Sequence, residues 1–242
     1  MNCMNNKQKW MDTVLWVLTA AAFLITAVAV QFMADEVPMH YNASGEIDRY
    51  GSRYENFIFP VMILIFNVFW VVFIFSFRKK ALKAEQEKER KEAQSSITVL
   101  GYAAVGTTIM FLIMQCVILM MAMSASEGQQ KAEFDFNIIC NSLMGFLLVF
   151  LGNILPKTKR NSAVGVRTVW SMDNDTTWEM SNRFGGKVMI VSGLLILIES
   201  FIIKGFASTM VELAIIIAMG VAMTVYSAKV YKKYGNNAKK HQ

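Results

Sequence analysis

Six stretches of this 242-residue chain are long enough to cross a lipid bilayer and nearly free of charge. A spanning helix needs roughly 20 apolar residues, because each residue adds ~1.5 Å against a hydrocarbon core of ~30 Å. The stretches are 13–34, 56–77, 99–123, 136–156, 188–203 and 209–228, and the only acidic residues inside them are Glu199 and Glu212. Backbone groups in lipid must be satisfied within the segment, so all six are predicted to be helices. The predicted fold class is an all-α integral membrane protein with six transmembrane helices.

The composition excludes most other classes of protein. Only 17% of the residues are charged, against ~25% in soluble domains. A soluble enzyme and a disordered chain do not fit this balance. Three cysteines are too few for a disulfide framework.

The basic residues indicate how the chain is oriented. Twenty of the 24 lysines and arginines lie in the N-terminus, the second loop, the fourth loop and the tail, and only Arg49, Arg53, Lys131 and Lys204 lie in the alternate loops. The positive-inside rule then predicts that both termini are cytoplasmic. Because the positive charge is spread over four segments, with no basic groove that carries stacking aromatics, the predicted partner is the lipid bilayer and not nucleic acid.

The first outer loop, residues 38–53, is rich in polar groups and turn formers. Pro38 is predicted to stop the first helix, and Asn42, Gly45 and Gly51 to form turns. Three interpretations stay open: a compact, self-bonded turn cap, a recognition surface for an extracellular ligand, or a metal or catalytic site that uses His40, Glu46 and Asp48.

The fourth loop, residues 157–187, is the longest on the predicted cytoplasmic side. Thr176 and Glu179 have the spacing of a capping box, and Gly185-Gly186 is predicted to end a short helix. Trp178, Met180 and Phe184 are expected against the membrane surface, and Arg167 and Trp170 are expected to hold the loop by packing and carboxylate pairing. The loop is interpreted either as an interfacial lid or as a docking surface for a cytoplasmic partner.

Three further features carry expectations. The charged second loop, residues 78–92, is predicted to extend the second and third helices, with Glu87 and Lys91 at pairing distance. Cys116 and Cys140 are interpreted as small buried hydrophobic residues, with a redox pair as the alternative. For the two intramembrane glutamates, Glu199 is expected to pair with Lys204, and Glu212 to form a capping box with Thr209; an ion- or toxin-linked role is the alternative.

Two motifs resemble a known family. The fourth loop, with Asn161, Gly165-Val166-Arg167-Thr168, Trp170-Ser171, Trp178, Asn182-Arg183 and Gly186, closely resembles the signature of the SdpI family. The first outer loop, with His40, Asn42, Gly45, Glu46, Asp48 and Gly51, resembles the domain of unknown function that commonly forms the N-terminal half of SdpI-like proteins. Two positions depart from the pattern, because Ile47 and Val169 stand where proline is expected.

The resemblance implies an organisation and a function. Residues 1–94 would form a two-helix half that carries the extracellular loop, and residues 95–242 a four-helix half that carries the cytoplasmic loop. The protein would be a non-enzymatic, cofactor-free bacterial immunity protein against a secreted peptide toxin. It would also hold a small winged-helix autorepressor at the membrane. The outer-loop motif residues would recognise the toxin, and Asn161, Gly165, Arg167, Thr168, Trp170, Trp178, Asn182 and Arg183 would dock the partner or shape the loop. Two alternatives are a membrane enzyme or metal-dependent protein using His40, Glu46 and Asp48, and a small transporter using Glu199 and Glu212.

Overall fold

The structure is a computed structural model that describes residues 6–42, 46–124, 135–161 and 163–236. Its helices are α1 (Asn6–Ala29), α2 (Ile58–Lys83), α3 (Glu87–Ser124), α4 (Phe136–Ile154), α5 (Asp175–Ile202) and α6 (Phe206–Tyr234). A hairpin of β1 (Glu36–Tyr41) and β2 (Ile47–Ser52) joins α1 to α2. All six helices are long and apolar enough to cross a membrane. The prediction of a six-helix membrane protein is confirmed.

Successive helices run in opposite directions, so the connections alternate between two sides of the bundle. We call the side with the β-hairpin and the α5–α6 turn the hairpin side. The opposite side, with the α2–α3 turn and the α4–α5 connection (residues 155–174), is the loop side. The assignment of the loop side to the cytoplasm stays a prediction.

Buried polar side chains join the first three helices inside the apolar bundle. Asn67 of α2 donates to the Thr19 hydroxyl of α1 at 2.8 Å and accepts from the Thr108 hydroxyl of α3 at 2.7 Å. Two turns further along both helices, Gln115 of α3 donates to Thr26 of α1 at 2.6 Å. Lipid offers no competing partners, so such bonds fix the helices relative to one another.

Two glycine pairs set the distance between α4 and α5. A Cβ added at Gly145 would lie 2.8 Å from the Gly193 carbonyl oxygen, and one added at Gly186 would lie 2.6 Å from the Gly152 carbonyl oxygen. The two backbones therefore touch at two levels seven residues apart on each helix. The prediction that Gly185-Gly186 ends a short helix is wrong. α5 continues to Ile202, because Gly186 supplies close packing against α4 and not a helix end.

The charged turn between α2 and α3 follows the prediction. α2 extends to Lys83, α3 begins at Glu87, and Lys91 pairs with Glu87 at 2.5 Å. Residue 94 lies inside α3, whose main packing partners are α1 and α2. By packing, the bundle thus groups α1–α3 and α4–α6, whereas the division into residues 1–94 and 95–242 stays a prediction. Cys116 and Cys140 are half-buried free thiols on α3 and α4.

Candidate functional site

On the hairpin side, Asn42 and Glu46 bond the ends of the two strands to each other. Around the turn, the Asn42 amide N–H donates to the Glu46 carbonyl oxygen at 2.9 Å, and the two side chains exchange further bonds. The Asn42 Nδ2 group donates to the Glu46 carboxylate at 3.0 Å, and the Glu46 N–H donates to Asn42 Oδ1 at 3.0 Å. Gly45 lies outside the described residues. Pro38 was expected to end the first helix, but that helix ends in a 3-10 turn at Phe32, and Pro38 lies within β1.

His40 and Asp48 form an exposed pair across the two strands. His40 Nδ1 lies 2.6 Å from Asp48 Oδ1, and the two side chains are 63% and 44% exposed. Glu46 is bonded to Asn42 instead of joining them. In the described part of the chain, no group of three or more His, Cys, Asp and Glu side chains is placed to hold a metal ion. Because both side chains are exposed, the His40–Asp48 pair is accessible to an external ligand.

Residues outside the predicted motif fix the base of the hairpin. Glu55 pairs with Arg49 of β2 and accepts the Ser52 amide N–H at 3.1 Å. Arg53 donates to the Met33 carbonyl oxygen at 3.1 Å, which ties β2 to the end of α1. Gly51 leaves room for both neighbours, because a Cβ would lie 2.8 Å from the Glu55 carboxyl carbon and 2.9 Å from Met39 Cγ, so these side chains would have to shift. The signal for Glu55 was its capping-box spacing from Ser52.

On the loop side, several signature residues form a buried hydrogen-bond network. Asn161 folds the chain back, because its Oδ1 accepts the N–H groups of Ala163 and Val164 at 2.8 and 2.7 Å. Asn182 Oδ1 accepts the Val166 N–H at 2.8 Å, and Trp178 Nε1 donates to the Thr158 carbonyl oxygen at 2.8 Å.

Gly165 lies beside this network in a backbone conformation that favours glycine. Its φ is +135°, and a Cβ would lie 2.5 Å from the Trp178 ring. Trp178 is only 2% exposed, so the expectation that it lies against the membrane surface is wrong. The turn at Asn161 and the approach of Gly165 enclose the ring instead.

The α4–α5 connection is attached to α6 and to the start of α5. Thr168 pairs with Ser227 of α6, and its N–H donates to the Ser171 hydroxyl at 2.9 Å. The N-cap of α5 is Asn174, in a capping box with Thr177. The predicted box between Thr176 and Glu179 is therefore wrong, because α5 begins two residues earlier than that spacing required.

Three side chains of the connection and the start of α5 point outward. Arg167 and Arg183 are exposed, and Val169 is 81% exposed, while Trp170 is half-buried. Among the described residues, Arg167 makes no hydrogen bond or ion pair, so the expected carboxylate pairing of Arg167 is wrong. Arg160 forms the carboxylate pair instead, since it contacts Asp175 at 3.3 Å, and it also donates to the carbonyl oxygens of Met172 and Asp173.

The intramembrane glutamates lie near the hairpin side. The Ser208 hydroxyl donates to Glu199 Oε2 at 3.1 Å and accepts from Asn141 Nδ2 at 2.7 Å, while Glu199 Oε1 is buried and has no partner among the described residues. The expected partner Lys204 is not used. The capping box of Thr209 and Glu212 is also wrong, because α6 begins at Phe206 after Gly205, whose φ is +64°.

Comparison with known proteins connects both sites to a family. Residues 157–227 match the SdpI/YfhL protein family, and residues 17–64 match the domain of unknown function DUF1648. The chain is 23% identical over 218 residues to the "Immunity protein SdpI" of Bacillus subtilis (strain 168), and the alignment covers 90% of this chain and 94% of that protein. The predicted resemblance to the SdpI family is confirmed. No solved structure matches the chain.

The SdpI match coincides with the buried loop-side network, and the DUF1648 match includes the hairpin. The similarity supports a multi-pass bacterial cell-membrane protein of the immunity class. The whole of α3 lies outside both matched segments, although it packs against α1 and α2.

Proposed function

We propose that the protein protects its cell from a secreted antimicrobial peptide toxin, which the β-hairpin recognises at the extracellular surface of the cell membrane. The observation that carries the proposal is the 23% identity to an immunity protein over nearly the whole of both chains. On its side of the bundle, the hairpin offers the exposed polar pair His40 and Asp48.

The geometry of the hairpin suits recognition. The Asn42–Glu46 bonds and the base contacts of Glu55 hold the two strands together before any ligand arrives, which lowers the entropy cost of binding. His40 and Asp48 then present a nitrogen and a carboxylate side by side at the surface. A peptide with cationic and hydrogen-bonding side chains complements this pair.

A second role follows on the loop side. We propose that Arg167, Val169 and Arg183 contact a small winged-helix repressor, with Trp170 at the edge of this surface. Asn161, Gly165, Trp178 and Asn182 are buried and shape it from beneath. Because a ~30 Å core separates the two sites, toxin-dependent docking requires helices with two arrangements that both ligands bias.

The test is survival of a strain that lacks this gene, grown with its parent strain as the toxin source and complemented with variants. Recognition predicts that His40→Ala reduces protection by about three- to tenfold, since one contact of several is lost. Loss of a general base would instead remove several orders of magnitude of activity.

Glu36→Gln provides the matched control, because Glu36 is an exposed residue of the same hairpin for which no side-chain bond occurs among the described residues. Membrane abundance of each variant is measured by immunoblot. Full survival of the uncomplemented strain, or an equal effect of both substitutions at equal abundance, contradicts the proposal.

A further inference from the structure

A small cationic cleft lies between α5 and α6 on the loop side. Its walls are Met180, Arg183, Phe184, Lys187 and Tyr226, and its volume is about 230 Å³. We call it the α5–α6 cleft. Neither the hairpin nor the buried loop-side network contributes to it.

Both helices place this cleft at the boundary between lipid and water. On α5, Lys187 immediately precedes the apolar stretch 188–203, and on α6, Tyr226 lies near the loop-side end of the apolar stretch 209–228. Phe184 stacks on Tyr226 with ring centroids 3.9 Å apart and planes at 10°. The stacked rings form a rigid floor at the level that lipid headgroups reach.

The polar groups of the cleft are available for an anion. Lys187 forms no ion pair and the Tyr226 hydroxyl no hydrogen bond among the described residues, and both side chains offer donors. Arg183 contacts Glu179 at 3.7 Å, but both side chains are about two-thirds exposed, so this pair is weak. Glu212, the only acidic residue of α6, lies at the other end of that helix.

Exposed apolar side chains continue from the cleft along the membrane. On α5, Arg183 and Lys187 are one turn apart, and the same helix face continues with exposed Val191, Leu194 and Ile198. A cationic head site thus adjoins an exposed apolar face of α5, which suits a phospholipid with an anionic headgroup and acyl chains.

We propose that the α5–α6 cleft binds an anionic phospholipid of the loop-side leaflet, with the phosphate at Arg183 and Lys187. Tyr226 donates to the headgroup, and the acyl chains lie along the exposed apolar face of α5. Lipid binding here fixes the loop-side ends of α5 and α6, to which the α4–α5 connection is attached.

The experiment is native mass spectrometry of the full-length protein in detergent with equimolar phosphatidylglycerol and phosphatidylcholine that carry the same acyl chains. The wild-type protein should retain phosphatidylglycerol preferentially. Each cation near an anionic lipid contributes roughly fivefold in affinity, so Arg183→Gln with Lys187→Gln should lower the preference about 25-fold. Lys187→Arg should keep it.

The matched control is Lys229→Gln with Lys232→Gln, which removes the same charge from exposed positions of α6 outside the cleft. It should retain most of the preference. Equal loss in both double variants, or an unchanged preference in the cleft variant, overturns the proposal. Displacement of the retained lipid by soluble glycerol phosphate also overturns it, because the site would then be one for free phosphate. If the double variant does not fold, Lys187→Gln against Lys229→Gln makes the same comparison with an expected difference of about fivefold.

Discussion

Asp135 joins the start of α4 to the α5–α6 turn through one carboxylate. It caps α4 by accepting the Asn137 N–H at 2.9 Å, and it accepts the Gly205 N–H of the α5–α6 turn at 2.5 Å. Burial alone raises the pKa of Asp135, but the bonds from Gly205 and Asn137 and the nearby Lys204 ammonium outweigh it. The pKa of Asp135 therefore lies below its usual value.

A depressed folded-state pKa gives a pH dependence of defined sign. The ionised carboxylate stabilises the fold above the unfolded pKa of about 4, and this contribution disappears as the pH falls through the lower folded-state pKa. Asparagine is an equally good helix cap but carries no charge. Asp135→Asn should therefore show a smaller loss of thermal stability between pH 6 and pH 3 (roughly the titration range of carboxylates) than the wild-type protein. Identical pH profiles of the two unfolding midpoints would contradict this role.

At the scale of the element, the contact between α4 and α5 depends on glycine at matched positions. Gly145 and Gly193 face each other at one level, and Gly152 and Gly186 at the next. Without a hydrophobic driving force between helices in lipid, such close approach gives packing that larger residues exclude.

Gly193→Ala should destabilise the protein, because its Cβ would lie 2.5 Å from the Gly145 carbonyl oxygen. Overpacking of this kind costs about 1–3 kcal/mol. Gly220→Ala on α6 is the control, since nothing lies within 4 Å of its Cβ position. It should be neutral or stabilising by up to about 1 kcal/mol. The measurement is the thermal unfolding midpoint in detergent, and equal shifts for both variants would show that the glycine pairs do not determine the packing.

The elements were predictable from the sequence where one local signal decides them. Lack of charge over about 20 residues is enough to locate each helix in lipid, and Glu87 with Lys91 marked the start of α3. The loop-side network was not predictable in detail. The Trp178 ring is enclosed because Gly165 adopts a positive φ beside it. The turn at Asn161 folds the chain back, and Arg160, instead of Arg167, pairs with Asp175. These outcomes depend on contacts between distant segments, which periodicity and spacing do not contain.

At the scale of the whole molecule, the orientation of the bundle decides which partner each site meets. The excess of lysine and arginine on the loop side predicts that this side is cytoplasmic. Reporter fusions should therefore place a junction at Gly45 outside the cell and a junction at Arg167 inside. Fusions that terminate within successive helices supply the control for membrane insertion. The reverse location at either junction would contradict the proposed roles of both sites.

The proposed division of labour between the two sides predicts separable defects. Arg167 is exposed and without a partner among the described residues, so its guanidinium offers donors to a partner carboxylate and its loss leaves the buried network intact. Arg167→Ala should therefore reduce repressor recruitment to the membrane by about tenfold or more, while protection against the toxin is largely retained. Survival and repressor localisation are measured in the same strain, with protein abundance checked by immunoblot.

His40→Ala supplies the reciprocal variant, because it should lower survival through a site on the opposite side. If Arg167→Ala abolishes survival and recruitment together at normal abundance, the two sides act as one structural unit, and separate roles for the hairpin and the α4–α5 connection are excluded.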